Sequence, residues 1–197
     1  MDAAIVSGPQ NGVYLPRELY GSGYPILRID DYQDGWVRGV DELNKVTTDK
    51  ATAEKYELLP GDFVINRVNS LTHLGKCLVV PETHAGALVE SNMMKARLAD
   101  CVNPRYVEFC LRSRDGRTRL TNGAKWAVNQ ASINQEDVKR TPFPLPPLAE
   151  QTRIVAEVER RLSVVEELEA VVSANLQRAA CLRQSILQRA FTGDLVA

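Results

Sequence analysis

Residues 148–190, LAEQTRIVAEVERRLSVVEELEAVVSANLQRAACLRQSILQRA, contain neither glycine nor proline. Within them apolar side chains recur at Val155, Val158, Leu162, Val165, Leu168, Val172, Leu176, Ala179, Leu182, Ile186 and Ala190. Ten steps cover 35 residues, a mean of 3.5, which is the period of a coiled-coil seam and not of a strand or loop. Pro147 stands where a helix opens and Gly193 where one closes. The reading is one continuous helix of roughly 60 Å at about 1.5 Å per residue. A domain built from the preceding ~140 residues has a radius of gyration near 14 Å, too small to cover such a stripe along its length. No second helix of this kind exists in the chain, so the stripe, with Val155, Val158, Leu162, Val165, Leu168, Val172, Leu176, Leu182 and Ile186 as its contacts, is expected to pair with another chain.

Upstream the pattern changes. Short alternating runs at 24–29, 62–67 and 75–80 read as strands, and Pro60-Gly61-Asp62 as the turn before the second of them. Residues 104–113 read as a short helix with proline in its first turn and Val107, Cys110 and Leu111 on one side. The expected class is α+β: a mixed α/β domain over residues 1–146 and a long C-terminal coiled-coil helix over 147–197. The hydrophobic share of 44% and charged share of 25% exclude wholesale disorder. No apolar run approaches the ~20 residues of a membrane span, and the first residues lack the basic and apolar regions of a secretory signal. Cys77, Cys101, Cys110 and Cys181 form no C-x-x-C pair, so they read as reduced thiols of a cytoplasmic protein, with no metal expected.

Net charge is −1, yet it is unevenly distributed. Residues 95–140 hold ten Lys and Arg against five acids, while residues 1–94 hold eight against thirteen. A local basic field of this kind suits a polyanion. Base reading needs Arg or Lys for guanine and Asn or Gln for adenine. Two stretches supply these in what reads as loop: Arg67, Asn69, Ser70, Thr72, His73 and Lys76; and Arg112, Arg114, Arg117, Arg119, Asn122, Lys125, Asn129 and Gln130. Asn66 and Arg67 are as well explained by fold support, and Trp126 reads as a packing residue. In the helix Arg160, Arg161, Glu166 and Glu167 read first as a solvated face.

Catalytic patterns fail. Asn103-Pro104-Arg105-Tyr106 has arginine where an amino-methyltransferase needs a second proline, and no glycine-rich cofactor turn precedes it. No Walker A, H-E-x-x-H or G-x-S-x-G sequence occurs, and the two histidines, His73 and His84, sit in no catalytic constellation. The chain is not expected to be an enzyme.

The opening Pro144-Leu145-Pro146-Pro147-Leu148-Ala149-Glu150-Gln151 and the closing Phe191-Thr192-Gly193-Asp194-Leu195 together resemble the ends of the conserved helix of type I restriction-modification specificity subunits. Residues 59–70 with Gly75-Lys76, residues 106–113 and the stretch 123–134 resemble segments of that family's target-recognition domain. The resemblance implies a non-catalytic subunit that binds a bipartite site on double-stranded DNA. It implies methyltransferase subunits using S-adenosylmethionine and a restriction subunit using ATP and Mg, all carried on partners and none in this chain. The family's usual chain has two recognition domains and two antiparallel helices, whereas this one has a single copy of each and lacks the Trp-containing opening often found before the first strands. Two copies joined through antiparallel helices would restore the arrangement with two-fold symmetry. Two other readings stand beside this one: a coiled-coil adaptor, and a recognition module of a related phage-defence system.

Overall fold

Phe63, Val64, Ile65 and Asn66 are all buried, and the strand they form lies inside a four-stranded sheet. The computed structural model describes residues 1–33, 35–70, 72–127 and 130–193; Asn129, Asp194 and Leu195 lie outside that set. In chain order the N-terminal half holds β1 (Ile5–Asn11), β2 (Tyr20–Leu27), β3 (Tyr32–Gln33), β4 (Trp36–Val37), β5 (Asn44–Val46) and α1 (Lys50–Tyr56). Next come β6 (Phe63–Asn66), β7 (Val68–Asn69), β8 (Cys77–Val79), β9 (Leu88–Val89) and β10 (Met93–Leu98). Helices α2 (Pro104–Arg112) and α3 (Arg114–Thr121), strands β11 (Lys125–Ala127) and β12 (Gln130–Ser132), and α4 (Gln135–Arg140) complete the domain before α5 (Leu148–Thr192).

The main sheet has the order β1-β10-β6-β8, antiparallel throughout. Its register sets Met93 opposite Asn66 and Ala96 opposite Phe63 on one side, and Ile65 opposite Cys77 on the other. Along β10, Met94, Ala96 and Leu98 are buried while Lys95 and Arg97 alternate with them. The two basic residues are held there: the Lys95 ammonium donates to the Glu57 carbonyl at 2.5 Å, and Arg97 donates twice to Asp62 at 2.9 and 2.6 Å. A second sheet pairs β2 antiparallel with β5 and parallel with β9. One core gathers Leu27, Tyr32, Leu58, Val64, Leu78 and Met93; a smaller one gathers Val13, Ile26, Val46, Ala53 and Leu88.

The helix expected over 104–113 is α2, capped by the Asn103 side chain on Arg105 and Tyr106 N–H. Val107 and Leu111 are buried as expected, and so is Glu108, which lies between Arg105 at 2.7 Å and Arg112 at 3.8 Å. Burial pushes the Glu108 carboxyl up, against the opposing pull of the two arginines. The residues after α2 do not form the expected loop: Arg114–Thr121 is a helix. Ser113 closes one helix and opens the next, donating to the Cys110 carbonyl at 2.7 Å and accepting from Gly116 N–H at 3.0 Å. Gly116 lets the two helices turn this tightly, since a Cβ there would overlap the Cys110 carbonyl. Only Leu120 of α3 is buried, so no apolar stripe announced the helix.

The long helix spans 45 residues, about 68 Å at 1.5 Å per residue, and Gly193 follows it with φ +85° in the left-handed region that ends helices. Leu162, Val165, Leu168, Val172, Leu176, Leu182 and Ile186 are exposed, Val158 is half-buried and Val155 is buried. Among the described residues no helix is long and apolar enough to cross a membrane. The chain divides into two compact units after Thr152. The first turn of α5 belongs to the first unit, and Gln151 is the reason. Its fully buried side chain accepts from Asn103 N–H at 2.8 Å and donates to the Cys101 and Pro146 carbonyls at 3.1 and 2.8 Å.

Gln151→Leu keeps volume and helix propensity but strands those three backbone groups. It is expected to cost about 1–3 kcal/mol, read as a lower urea midpoint; an unchanged midpoint would show that the clamp contributes nothing.

Candidate nucleic-acid interface

Strand β6 ends at Asn66, whose side chain has no exposed surface. Its Oδ1 accepts from the Tyr32 hydroxyl at 2.7 Å and its Nδ2 donates to the His73 carbonyl at 3.5 Å. The backbone of the same residue donates to the Lys76 carbonyl at 2.8 Å and accepts from Gly75 N–H at 2.9 Å. Asn66 thus fixes both ends of the first candidate stretch, the fold-supporting reading of this residue. Arg67 is turned to the same purpose: its Nη1 donates to the Ser91 carbonyl at 3.2 Å and its N–H to the Asn92 carbonyl at 2.8 Å.

The rest of the stretch faces outward. Ser70 Oγ lies 3.0 Å from both Thr72 Oγ1 and His73 Nδ1, and all three residues are exposed. Asn69 is half-buried and its Oδ1 accepts from Ser70 N–H at 2.7 Å. Lys76 is 8% exposed, yet no hydrogen bond or ion pair engages its ammonium among the described residues. With Asn69, His73, Ile29, Asp30, Tyr32 and Gln33 it lines a recess of about 160 Å³.

The second candidate stretch is divided by its secondary structure. Arg114, Arg117 and Arg119 lie on α3, Asn122 at its C-terminal cap, Lys125 on β11 and Gln130 on β12. Several of these cations are ion-paired among the described residues, though of the acids that hold them only Asp62 lies outside 95–140. Arg97 pairs with Asp62, Arg105 and Arg112 flank Glu108, Arg119 pairs with Asp115 and Lys139 with Glu136. Lys95 and Arg117 donate to the Glu57 and Leu74 carbonyls. Of the basic residues of 95–140, Lys95, Arg114, Arg117, Lys125 and Arg140 have no ion pair among the described residues, and of these Arg114, Lys125 and Arg140 have no carbonyl partner either.

Strand β12 pairs with both β7 and β11, and this joins the two stretches. Ala131 stands opposite Asn69 on one side and Trp126 on the other; Ser132 stands between Val68 and Lys125. Lys125 and Gln130 therefore share a three-stranded sheet with Asn69, directly before the Ser70, Thr72 and His73 group. Arg117 bonds the loop through Leu74 at 3.3 Å. Among the described residues no hydrogen bond or ion pair brings Arg114, Arg119 or Asn122 to this group. The expected packing role of Trp126 is corrected: the residue is 71% exposed on β11, the outer strand of its sheet. The β3–β4 hairpin, whose Gly35 lies against the Arg112 guanidinium, was missed. Its signal was the Asp34-Gly35 dipeptide between Tyr32-Gln33 and Trp36-Val37.

Residues 17–170 match the family described as "Type I restriction modification DNA specificity domain". The chain belongs to that family, a family of DNA specificity domains and not of catalytic subunits. It is 31% identical over 98% of its length to the specificity subunit of the type I restriction enzyme EcoKI of Escherichia coli (strain K12), and 30% identical over 98% to that of StySPI of Salmonella potsdam. It spans about two-fifths of those relatives, 42% of each. Two solved structures share the fold. One, from work on assembly and conformational transition of the type I R-M system, has TM-score 0.65 and 21% identity over 92% of this chain and 42% of its own. The other, the HsdS subunit from Thermoanaerobacter tengcongensis, has TM-score 0.56 and 22% identity over 76% of this chain and 37% of its own.

If Arg117 holds the loop, Arg117→Ala will speed amide hydrogen exchange at Leu74 and Gly75, whereas Arg114→Ala will leave those amides unchanged. Equal protection in both variants would remove the structural role assigned to Arg117.

Proposed function

We propose that the chain is a DNA sequence-recognition module of a type I restriction-modification system, acting in the cytoplasm. Residues 1–146 read one half of a bipartite duplex site, and residues 147–197 set the gap to the other half by antiparallel pairing with a second copy. The observation that carries this reading is the meeting of the loop after β7 and the β11–β12 pair on one sheet. A two-stranded ribbon with its adjoining loop fits the major groove, where all four base pairs are distinguishable. Asn69, Ser70, Thr72, His73, Lys76, Lys125 and Gln130 supply donors and acceptors there. Arg67, Arg112 and Arg117 support the surface that presents them, while Arg114, Arg119 and Asn122 take the flanking backbone.

The exposed stripe on α5 supports the pairing. A continuous apolar face from Leu162 to Ile186 is larger than monomeric proteins ordinarily leave in water. Methyltransferase subunits with S-adenosylmethionine, and a restriction subunit with ATP and Mg, supply the chemistry on such a complex. With Arg114 and Arg119 on phosphates the salt dependence is shallow, log K against log salt falling with a slope of about −2 per half-site by the ~0.9-per-phosphate rule.

Light scattering of the purified chain, coupled to selection from a random duplex pool, tests both parts. The expected result is a dimer that enriches an interrupted palindrome, and a Leu168→Glu/Leu176→Glu variant of half the mass that enriches the half-site alone. A monomer at every concentration overturns the self-pairing; failure to enrich any sequence overturns the recognition.

A further inference from the structure

The recess beside β3 joins two charges from distant parts of the chain. Lys76 is more than nine-tenths buried, its ammonium has no partner among the described residues, and it opens into the same recess as Asp30, which is exposed. No ion pair joins the two among the described residues. Gln33, Asn69 and His73 complete a polar lining, and the Tyr32–Asn66 hydrogen bond holds its floor. The stem of Lys76 is covered by the fold while its ammonium is not among the buried polar atoms left without a partner, so the charge is carried to the recess and free to meet an acceptor there.

The geometry points to this recess as the reader of one G·C base pair, with Lys76 donating to guanine O6 and N7 and Asp30 accepting from cytosine N4. The inference rests on the proposed DNA recognition and names the base pair read at one part of that surface. A phosphate is the wrong occupant, because the Asp30 carboxylate would repel it and a phosphate cradle consists of donors. A base-pair edge presents acceptors and a donor side by side. Guanine offers two adjacent acceptors to a cation, whereas adenine sets an amino donor beside N7, which a cation avoids. The recess also assigns a role to the β3–β4 hairpin, with Gln33 as a second amide at the same edge.

Duplex selection with the full chain and its Lys76→Met and Asp30→Ala variants tests this. Methionine keeps the buried stem of Lys76 and removes its charge; Asp30 is exposed, so its variant tests the recess even if Lys76→Met fails to fold. Both variants are expected to lose preference at the same G·C position, by roughly 5- to 150-fold, and to keep it elsewhere. Uniform weakening by Lys76→Met across all sequences, with the salt slope reduced by about 1, would make it a phosphate contact and overturn the assignment. Relaxation at an A·T position would overturn the choice of base pair. If the unaltered chain selects a site and both variants select the same one, the recess fails alone. If the unaltered chain selects nothing, the recognition itself fails and takes the recess with it.

Discussion

The candidate surface depends on a buried amide. Asn66 closes β6 and meets Tyr32 through its side chain and Lys76 and Gly75 through its backbone. One residue therefore fixes the β3–β4 hairpin, the start of β7 and the far end of the loop that carries Ser70, Thr72 and His73. A loop free at either end would pay the entropy of ordering its side chains each time it met a ligand. Here that cost is met on folding, and the low-dielectric surroundings that strengthen the Asn66 hydrogen bonds also make it costly to leave them unmade. Among the described residues the Tyr32 hydroxyl meets Asn66 and the nearby Lys76 carbonyl at 3.3 Å, which ties the loop to the hairpin.

Charge counting along the sequence found a basic quarter of the chain but could not see which of its cations are held. The excess of basic residues over 95–140 is real, but a count cannot see a partner 35 residues away, as Asp62 is from Arg97. Glu108 was closer to legible, since Arg105 and Arg112 stand at helical spacings on either side of it. A carboxylate buried between two arginines has little net worth as a source of stability. Its effect is to hold the guanidiniums of Arg105, in the first turn of α2, and Arg112, in the last, the latter against Gly35 of the β3–β4 turn.

What could be read in advance was what is local and repetitive. The 3.5-residue recurrence gave α5 nearly to its ends, because every turn of a helix repeats the same requirement on the sequence. Strands β6 and β8 and helix α2 were legible from short apolar runs between turn residues. Helix α3 was not: with Leu120 as its one buried residue, it exists by virtue of the Ser113 cap and the absence of a side chain at Gly116. β10 was hidden by Lys95 and Arg97, whose partners lie elsewhere in the sheet. Of the candidate residues, their chemistry was legible and their placement was not. Nothing local tells that Arg67 turns inward, that Trp126 stands on an uncovered strand, or that Asp30 and Lys76 open into one recess.

The two units leave different chemistry unsatisfied. The first ends with polar groups poised around a small recess and a sheet edge. The second ends with an apolar stripe that water does not favour. Polar groups confer discrimination more readily than affinity, because each replaces a hydrogen bond to water. A weak but selective reader becomes effective when two are linked, since the second binding event is then intramolecular and its concentration is set by the spacer. A stiff helix serves that purpose better than a flexible linker, because it permits one separation between half-sites and excludes the others. Under the proposed pairing the apolar stripe would supply affinity, and the recognition surface would be left free to discriminate.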